Sequence, residues 1–265
     1  MLNKDNIPLW TEEDFDGMRK AGKLAAETLD YITDFVKEGV STLELNDICA
    51  KFIKEHGAVC APMGYNGYPR ETCISVNHVI CHGIPDDKTI LAEGDILNID
   101  VTVILNGWYG DTSRMYTIGK ISVRAEKLID ATYNSLMNAI SLVKPGVKFC
   151  ELGKIIEKTV GPLNFSVVRD FCGHGLGKQF HTPPMVLHYE SKTYNSMKIE
   201  EGMFFTIEPM INAGKYDSRT LEDGWTAITK DRSLSAQFEH SMGVTKDGVE
   251  VFTSSPKGLD KPPYK

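Results

Sequence analysis

Two carboxylates interrupt an apolar, β-branched stretch: Asp100 and Asp111 in "ILNIDVTVILNGWYGDT". Asn106-Gly107 lies between two strand-like runs and favours a two-residue hairpin turn. Closing the hairpin there pairs Leu105 with Trp108 and, in register, Thr102 with Asp111. Asp100 stands two residues before Thr102 and shares its face. The two acids are therefore diagonal neighbours, with backbones ~7–8 Å apart and side chains closer.

An internal repeat adds a third acid, and a later strand-like run offers a fourth. "KEGVSTLEL" at 37–45 returns as "KPGVKFCEL" at 144–152, and "EGDILNID" at 93–100 returns as "EGMFFTIE" at 201–208. The offsets of the two pairs agree to within one residue, whereas "CHGI" at 81–84 and "GHGL" at 173–176 share a different offset. Glu208 takes the place of Asp100 in the second copy, and Glu239 in "LSAQFEH" completes a quartet. Four carboxylates facing one half-buried cavity would repel strongly, and two divalent cations would cancel their charge. Histidine supplies the remaining coordination: His174 in "CGHGLG" and His82 in "CHGIP" are flanked by glycine, which permits close backbone approach. His181 in "QFHTPP" is a third candidate, and spacing does not choose among them. Carboxylates with imidazole and no thiolate suit Mn, Fe, Co or Zn. A cation pair of this kind turns a bridging water into a hydroxide nucleophile, which is the chemistry of hydrolysis.

The elements that must position these groups are legible in outline. Thr11 and Asp14 form a variant capping box ahead of apolar residues at Met18, Ala21, Ala25, Leu29, Ile32 and Val36, with Gly39 as the expected helix stop. Ser41 and Glu44 cap a second helix that runs to about His56. Helices followed by antiparallel strands, duplicated, predict an α+β architecture of two pseudo-symmetric halves, about 11–120 and 121–253. A short extension precedes them at 1–10, and "SSPKGLDKPPYK" at 254–265 reads as a loose tail.

Bulk properties exclude several alternatives. A net charge of −7 argues against coating nucleic acid or an anionic membrane. No apolar run reaches the roughly 18 residues of a membrane helix, and a cytoplasmic location follows as the default. The six cysteines contain no C-x-x-C pair and read as reduced, mostly buried small hydrophobes.

The pieces "GYNGYP", "CHGIP", "GDILNIDVTV", "GDTSRMY", "CGHGLG", "FHTPP", "IEP" and "DGWTAITKDRSLSAQFEH" occur in order between Thr11 and Thr253. Together they resemble the type I methionine aminopeptidases, of the pita-bread fold. The resemblance implies that Asp100, Asp111, His174, Glu208 and Glu239 hold two divalent metals, with Glu208 also the proton shuttle. It makes His82 and His181 non-ligand histidines, His181 supporting the substrate carbonyl oxygen and His82 bonding the scissile amide. Tyr65, Tyr68, Cys73, Phe180 and Trp225 are implied as the methionine pocket, where aromatic walls and a thiol suit a thioether. Backbone carbonyls at Asn77, Val79 and Ser235 match a Na or K site. The implied partners are peptides and nascent chains beginning with Met and a small second residue, together with the ribosome, for a monomeric enzyme. One departure is Pro62, which stands where the family often has a cysteine, so that the pocket rim differs there.

Two other functions compete with initiator-methionine removal. An X-Pro aminopeptidase or prolidase of the same fold usually carries an additional N-terminal domain, and only about ten residues precede the first helix here. A non-catalytic binding module of this fold typically loses ligands, whereas all five positions carry ligand-type side chains.

Overall fold

The computed structural model describes residues 1–191 and 197–264. The hairpin that carries the first two acids forms in the register set by its turn. Strands Ile96–Leu105 and Trp108–Thr117 pair antiparallel from Leu105↔Trp108 through Thr102↔Asp111 to Ile96↔Thr117. Both turn residues adopt left-handed backbone, Asn106 at φ 51° and Gly107 at φ 81°, as the tight connection requires.

Helix α1 (Glu12–Ile32) lies across this hairpin. The Asp14 carboxylate accepts from both the backbone N–H and the hydroxyl of Thr11, which satisfies a donor at the helix start. Met18, Ala21, Ala25, Leu29 and Ile32, spaced three and four apart, are fully buried. The approach is close because Gly110 has no side chain; a Cβ there would collide with the backbone of Ala21. The helix ends earlier than expected. A 3-10 turn covers Thr33–Phe35, and Gly39 instead donates its N–H to Leu91 O in a tertiary turn. Helix α2 (Thr42–Glu55) has the expected capping box, with Ser41 Oγ accepting from the Glu44 N–H, and His56 as its C-cap.

Helices α3 (Val123–Ile140) and α4 (Phe149–Val160) repeat the pair α1–α2 in the second half. Two large apolar clusters broadly follow the halves, each taking in residues of the other, such as Phe204 and Met115. One is centred on α1, α2 and the hairpin, the other on α3, α4 and the strands Phe204–Ile207, Met210–Asn212 and Ser235–Gln237.

Among the described residues the antiparallel pairing is distributed over four sheets. The hairpin belongs to a four-stranded sheet with Val59–Cys60 and Cys73–Val76. The second half carries a five-stranded sheet in the order Val249–Val251, His240–Val244, Phe204–Ile207, Gly173–Gly175, Thr182–Val186. The halves are joined strand to strand at Ser113 and Glu239, where Glu239 N–H donates to Ser113 O at 3.1 Å. Thr112 Oγ1 donates to Glu239 O, and Ser241 Oγ to Asp111 O, so this junction is cross-braced.

The segment after residue 253 is not loose. Ser255 Oγ donates to Asp30, Tyr264 OH donates to Met115 O, and the Tyr264 ring packs on Tyr116. Aromatic burial and two hydrogen bonds outweigh the freedom that its Pro, Gly and Lys composition suggested. Lys265 lies outside the described residues.

Candidate metal centre and substrate pocket

Asp100, Asp111, His174, Glu208 and Glu239 all line one cavity of about 370 Å³. The first two come from the hairpin, and the other three from strands of the second half or their ends. Among the described residues, Asp111, His174 and Glu239 offer ligand atoms that all lie within 4.8 Å of one another. His174 Nε2 is 3.5 Å from Asp111 Oδ2 and 3.6 Å from Glu208 Oε1.

The surroundings orient each group. Thr102 Oγ1 donates to Asp111 Oδ1 at 2.7 Å, and Thr206 Oγ1 donates to Glu208 Oε1 at 2.8 Å. Gln237 Nε2 donates to Glu208 Oε2 at 3.3 Å. His174 Nδ1 lies 3.1 Å from Gly175 O. A carbonyl only accepts, so Nδ1 carries a proton and Nε2 faces the carboxylates. A bulge at His174/Gly175 interrupts the ladder there and re-aims the side chain.

The acids of this cluster raise one another's electrostatic cost. Burial, aided by Asp111 and Glu208, raises Asp100 well above the usual carboxylate range. Burial raises Glu208 to about 7, against the opposing field of His174 and with that of Asp111. Glu239 is likewise raised well above its ordinary value by burial, then by Asp111 and Glu208. Burial alone would lower His174, but its hydrogen bond to Asp111 and the nearby acids outweigh that and raise it. Asp100 Oδ1 is buried with no hydrogen-bond partner in the protein. An orphaned carboxylate oxygen beside three more acids and an imidazole fits a divalent-cation site, because a cation satisfies the oxygen and cancels the repulsion.

The seven residues expected at the substrate line the same cavity: Tyr65, Tyr68, Cys73, His82, Phe180, His181 and Trp225. Tyr68 and Trp225 meet edge to face at 5.1 Å, and Tyr65 and Phe180 lie 4.8 Å apart. Burial pushes the Cys73 thiol well above its ordinary range, so it stays neutral beside these rings. Tyr65 OH is 2.9 Å from His181 Nδ1, and the His181 ring stacks on Phe180 at 4.2 Å. Burial, reinforced by the neighbouring His174, lowers His181 to about 4. His82 is also lowered by burial, partly offset by Asp111, and sits at φ 56° in left-handed backbone. Pro62 lines the cavity.

The glycines beside these histidines have a different purpose from the one expected. A Cβ at Gly83 would collide with Ile74 O, at Gly173 with Thr206 O, and at Gly175 with Pro183 O. They admit neighbouring strands of the protein rather than a ligand. For the monovalent-cation positions, Ser235 N–H donates to Asn77 O at 2.8 Å, and Val79 pairs with Ile228 in an adjoining ladder.

Several functional neighbours had escaped the sequence reading. Thr206 precedes Glu208 by two residues, and Gln237 precedes Glu239 by two. Strand periodicity puts both on the acid-bearing face, so the signal was present. Phe171, 5.4 Å from His82 by ring centroids, carried no such signal.

The fold and this centre define a metallopeptidase. A model of metallopeptidase family M24 matches residues 16–246, and the chain belongs to that family. A methionine aminopeptidase of Rickettsia prowazekii (strain Madrid E) is 56% identical over 259 residues, 97% of this chain and 99% of that protein. A crystal structure of methionine aminopeptidase from the same organism superposes with a TM-score of 0.90 at 55% identity, covering 93% of this chain and 99% of the other. The prolidase of Pyrococcus horikoshii OT3 gives a TM-score of 0.74 at 20% identity, with 94% of this chain and 64% of that one covered, a likeness of fold alone.

Proposed function

We infer that this chain removes N-terminal methionine from peptides and new proteins as a metal-dependent exopeptidase. The observation that carries the reading is the shared cavity: a cluster of acids and one imidazole at liganding distance, opening directly onto an aromatic and thiol-lined pocket. Relatives named methionine aminopeptidase across nearly the full length support the substrate class.

Asp100, Asp111, His174, Glu208 and Glu239 would hold two divalent cations, drawn from Co, Mn, Fe or Zn. Bound there, such cations supply Lewis acidity and lower the pKa of a water toward ~7. The protein's own groups do the rest. Tyr65, Tyr68, Cys73, Phe180 and Trp225 seat the methionine side chain and exclude water from it. His181, kept neutral, donates to the scissile carbonyl oxygen as charge develops, and His82 bonds the scissile amide. Glu208 takes a proton from the attacking water and passes it to the leaving amine. Asn77, Val79 and Ser235 would offer carbonyls to a Na or K ion.

Every group in this scheme comes from one chain, and the same reading takes the enzyme to be a monomer of the cytoplasm acting on nascent chains near the ribosome. Among the described residues no helix is long and apolar enough to cross a membrane. Metal-loaded protein should release free methionine from Met-Ala-Ser and leave its N-formylated copy intact. Equal cleavage of both, or faster cleavage of an X-Pro peptide, overturns the assignment.

A further inference from the structure

The backbone N–H of Glu208 has an unusual partner. Strand Phe204–Ile207 ends one residue earlier, with Ile207 opposite His240 the last pair of its ladder. Pro209 follows and has no N–H, so Glu208 presents the last donor before the next strand begins at Met210. That donor points at an imidazole: Glu208 N–H donates to His188 Nε2 at 3.1 Å. His188 lies two residues beyond strand Thr182–Val186, is fully buried, and is not among the cavity-lining groups.

The direction of this bond is unambiguous. A backbone amide can only donate, so Nε2 must be the acceptor and the ring proton sits on Nδ1. Nδ1 is buried without a hydrogen-bond partner in the protein. Leaving it so is unfavourable, and an apolar side chain of similar size would avoid the cost. What the imidazole offers in return is one acceptor, fixed by a buried ring, at the main chain of a residue that faces the metal centre.

We propose that His188 is a positioning residue for the peptidase reaction, fixing the Glu208 main chain at the strand break so that its carboxylate stays aimed into the cavity. Two other contacts restrain the same side chain at its far end, from Thr206 Oγ1 and Gln237 Nε2. His188 restrains the near end. With it gone, the Glu208–Pro209 corner has no acceptor for its amide, and the carboxylate swings with the backbone. The inference rests on the role given to Glu208 above.

The length of the side chain supplies the test. A glutamine carbonyl reaches the place of Nε2, an asparagine carbonyl stops near Nδ1, and leucine offers no acceptor. His188→Gln should keep kcat for Met-Ala-Ser within a few-fold of the parent. His188→Asn and His188→Leu should lower kcat roughly tenfold or more and weaken Mn binding measured by calorimetry, with KM little changed. Parental kcat and Mn affinity in His188→Leu overturn the proposal, as does a drop in Tm with both unmoved. If the leucine variant fails to fold, nitrogen-15 imidazole spectra of the unaltered protein decide the matter. The Nδ1–H form, with a coupling from the Glu208 amide to Nε2, supports the proposal, and the Nε2–H form overturns it. Failure of the unaltered, Mn-loaded protein to release methionine would instead defeat the assigned activity, and the spectra keep the two failures apart.

Discussion

Thr102 and Asp111 face each other across the hairpin, and the threonine hydroxyl donates to the carboxylate at 2.7 Å. That bond leaves the other carboxylate oxygen, 3.5 Å from His174 Nε2, as the one turned toward the rest of the cluster. Thr102→Val keeps the shape and removes the donor. Mn affinity by calorimetry should fall about tenfold, while Asp111→Asn should lower turnover by orders of magnitude. In the metal-free state Asp111→Asn should be at least as heat-stable as the parent, because it removes charge repulsion. A clearly lower Tm would show that the acid is structural.

Metal uptake should release protons. Asp100, Glu208 and Glu239 are raised in the metal-free protein, Glu208 to about 7, and His174 is raised as well. A group raised on folding stabilises the protein below its unfolded value and loses that contribution as pH climbs through its folded value. For Glu208 the window runs from its ordinary 4.5 to about 7. Metal-free protein therefore loses stability from this cluster as pH rises through that window. Apparent Mn affinity rises over the same range. Titration heats that do not change between buffers of different ionisation enthalpy at pH 6 would contradict this.

His181→Ala should bind Mn like the parent and lose kcat by about a hundredfold, the usual cost of about 3 kcal/mol for one oxyanion donor. Tyr65→Phe, which deletes only the hydroxyl facing His181 Nδ1, should show part of that loss. Stopped-flow turnover of Met-Ala-Ser at saturating substrate separates these effects from binding.

Away from the centre, Arg114 and Asp30 form an ion pair at 2.5 Å with side chains 1% and 2% exposed. Ser255 Oγ and the Lys257 N–H add hydrogen bonds to Asp30. Arg114→Met strands a buried carboxylate and should destabilise the fold by about 3–5 kcal/mol in urea unfolding. Adding Asp30→Leu should recover most of it. A single variant as stable as the parent would show the pair to be dispensable.

Features governed by neighbours in sequence were the most legible. Asn106-Gly107 sets the hairpin register by turn chemistry alone, and Ser41 with Glu44 sets a helix start, since both devices act within a few residues. Asp100 and Asp111 came together through the hairpin turn and Glu208 through the repeat, whereas Glu239 was offered only by its strand-like run. Gly39 misled, since a glycine after a helix pattern reads as a stop although its N–H is used by distant Leu91. Tyr264 and His188 were illegible for the same reason: their partners, Met115 O and the Glu208 amide, are main-chain atoms far along the chain. A backbone group leaves no trace in residue type. The methionine pocket became readable only through family resemblance, because aromatic residues in loops serve core and surface as often.

Glu239, bridged to Ser113 of the first half, is the last in chain order of the four acids and one imidazole. The acids at 100 and 111 emerge early in synthesis, and the last member of the quintet only some 25 residues before the end of the described chain. A copy cut short by a premature stop upstream of Glu239 lacks part of the centre. Such a truncated copy should therefore bind Mn more weakly than the full chain and release no methionine from Met-Ala-Ser.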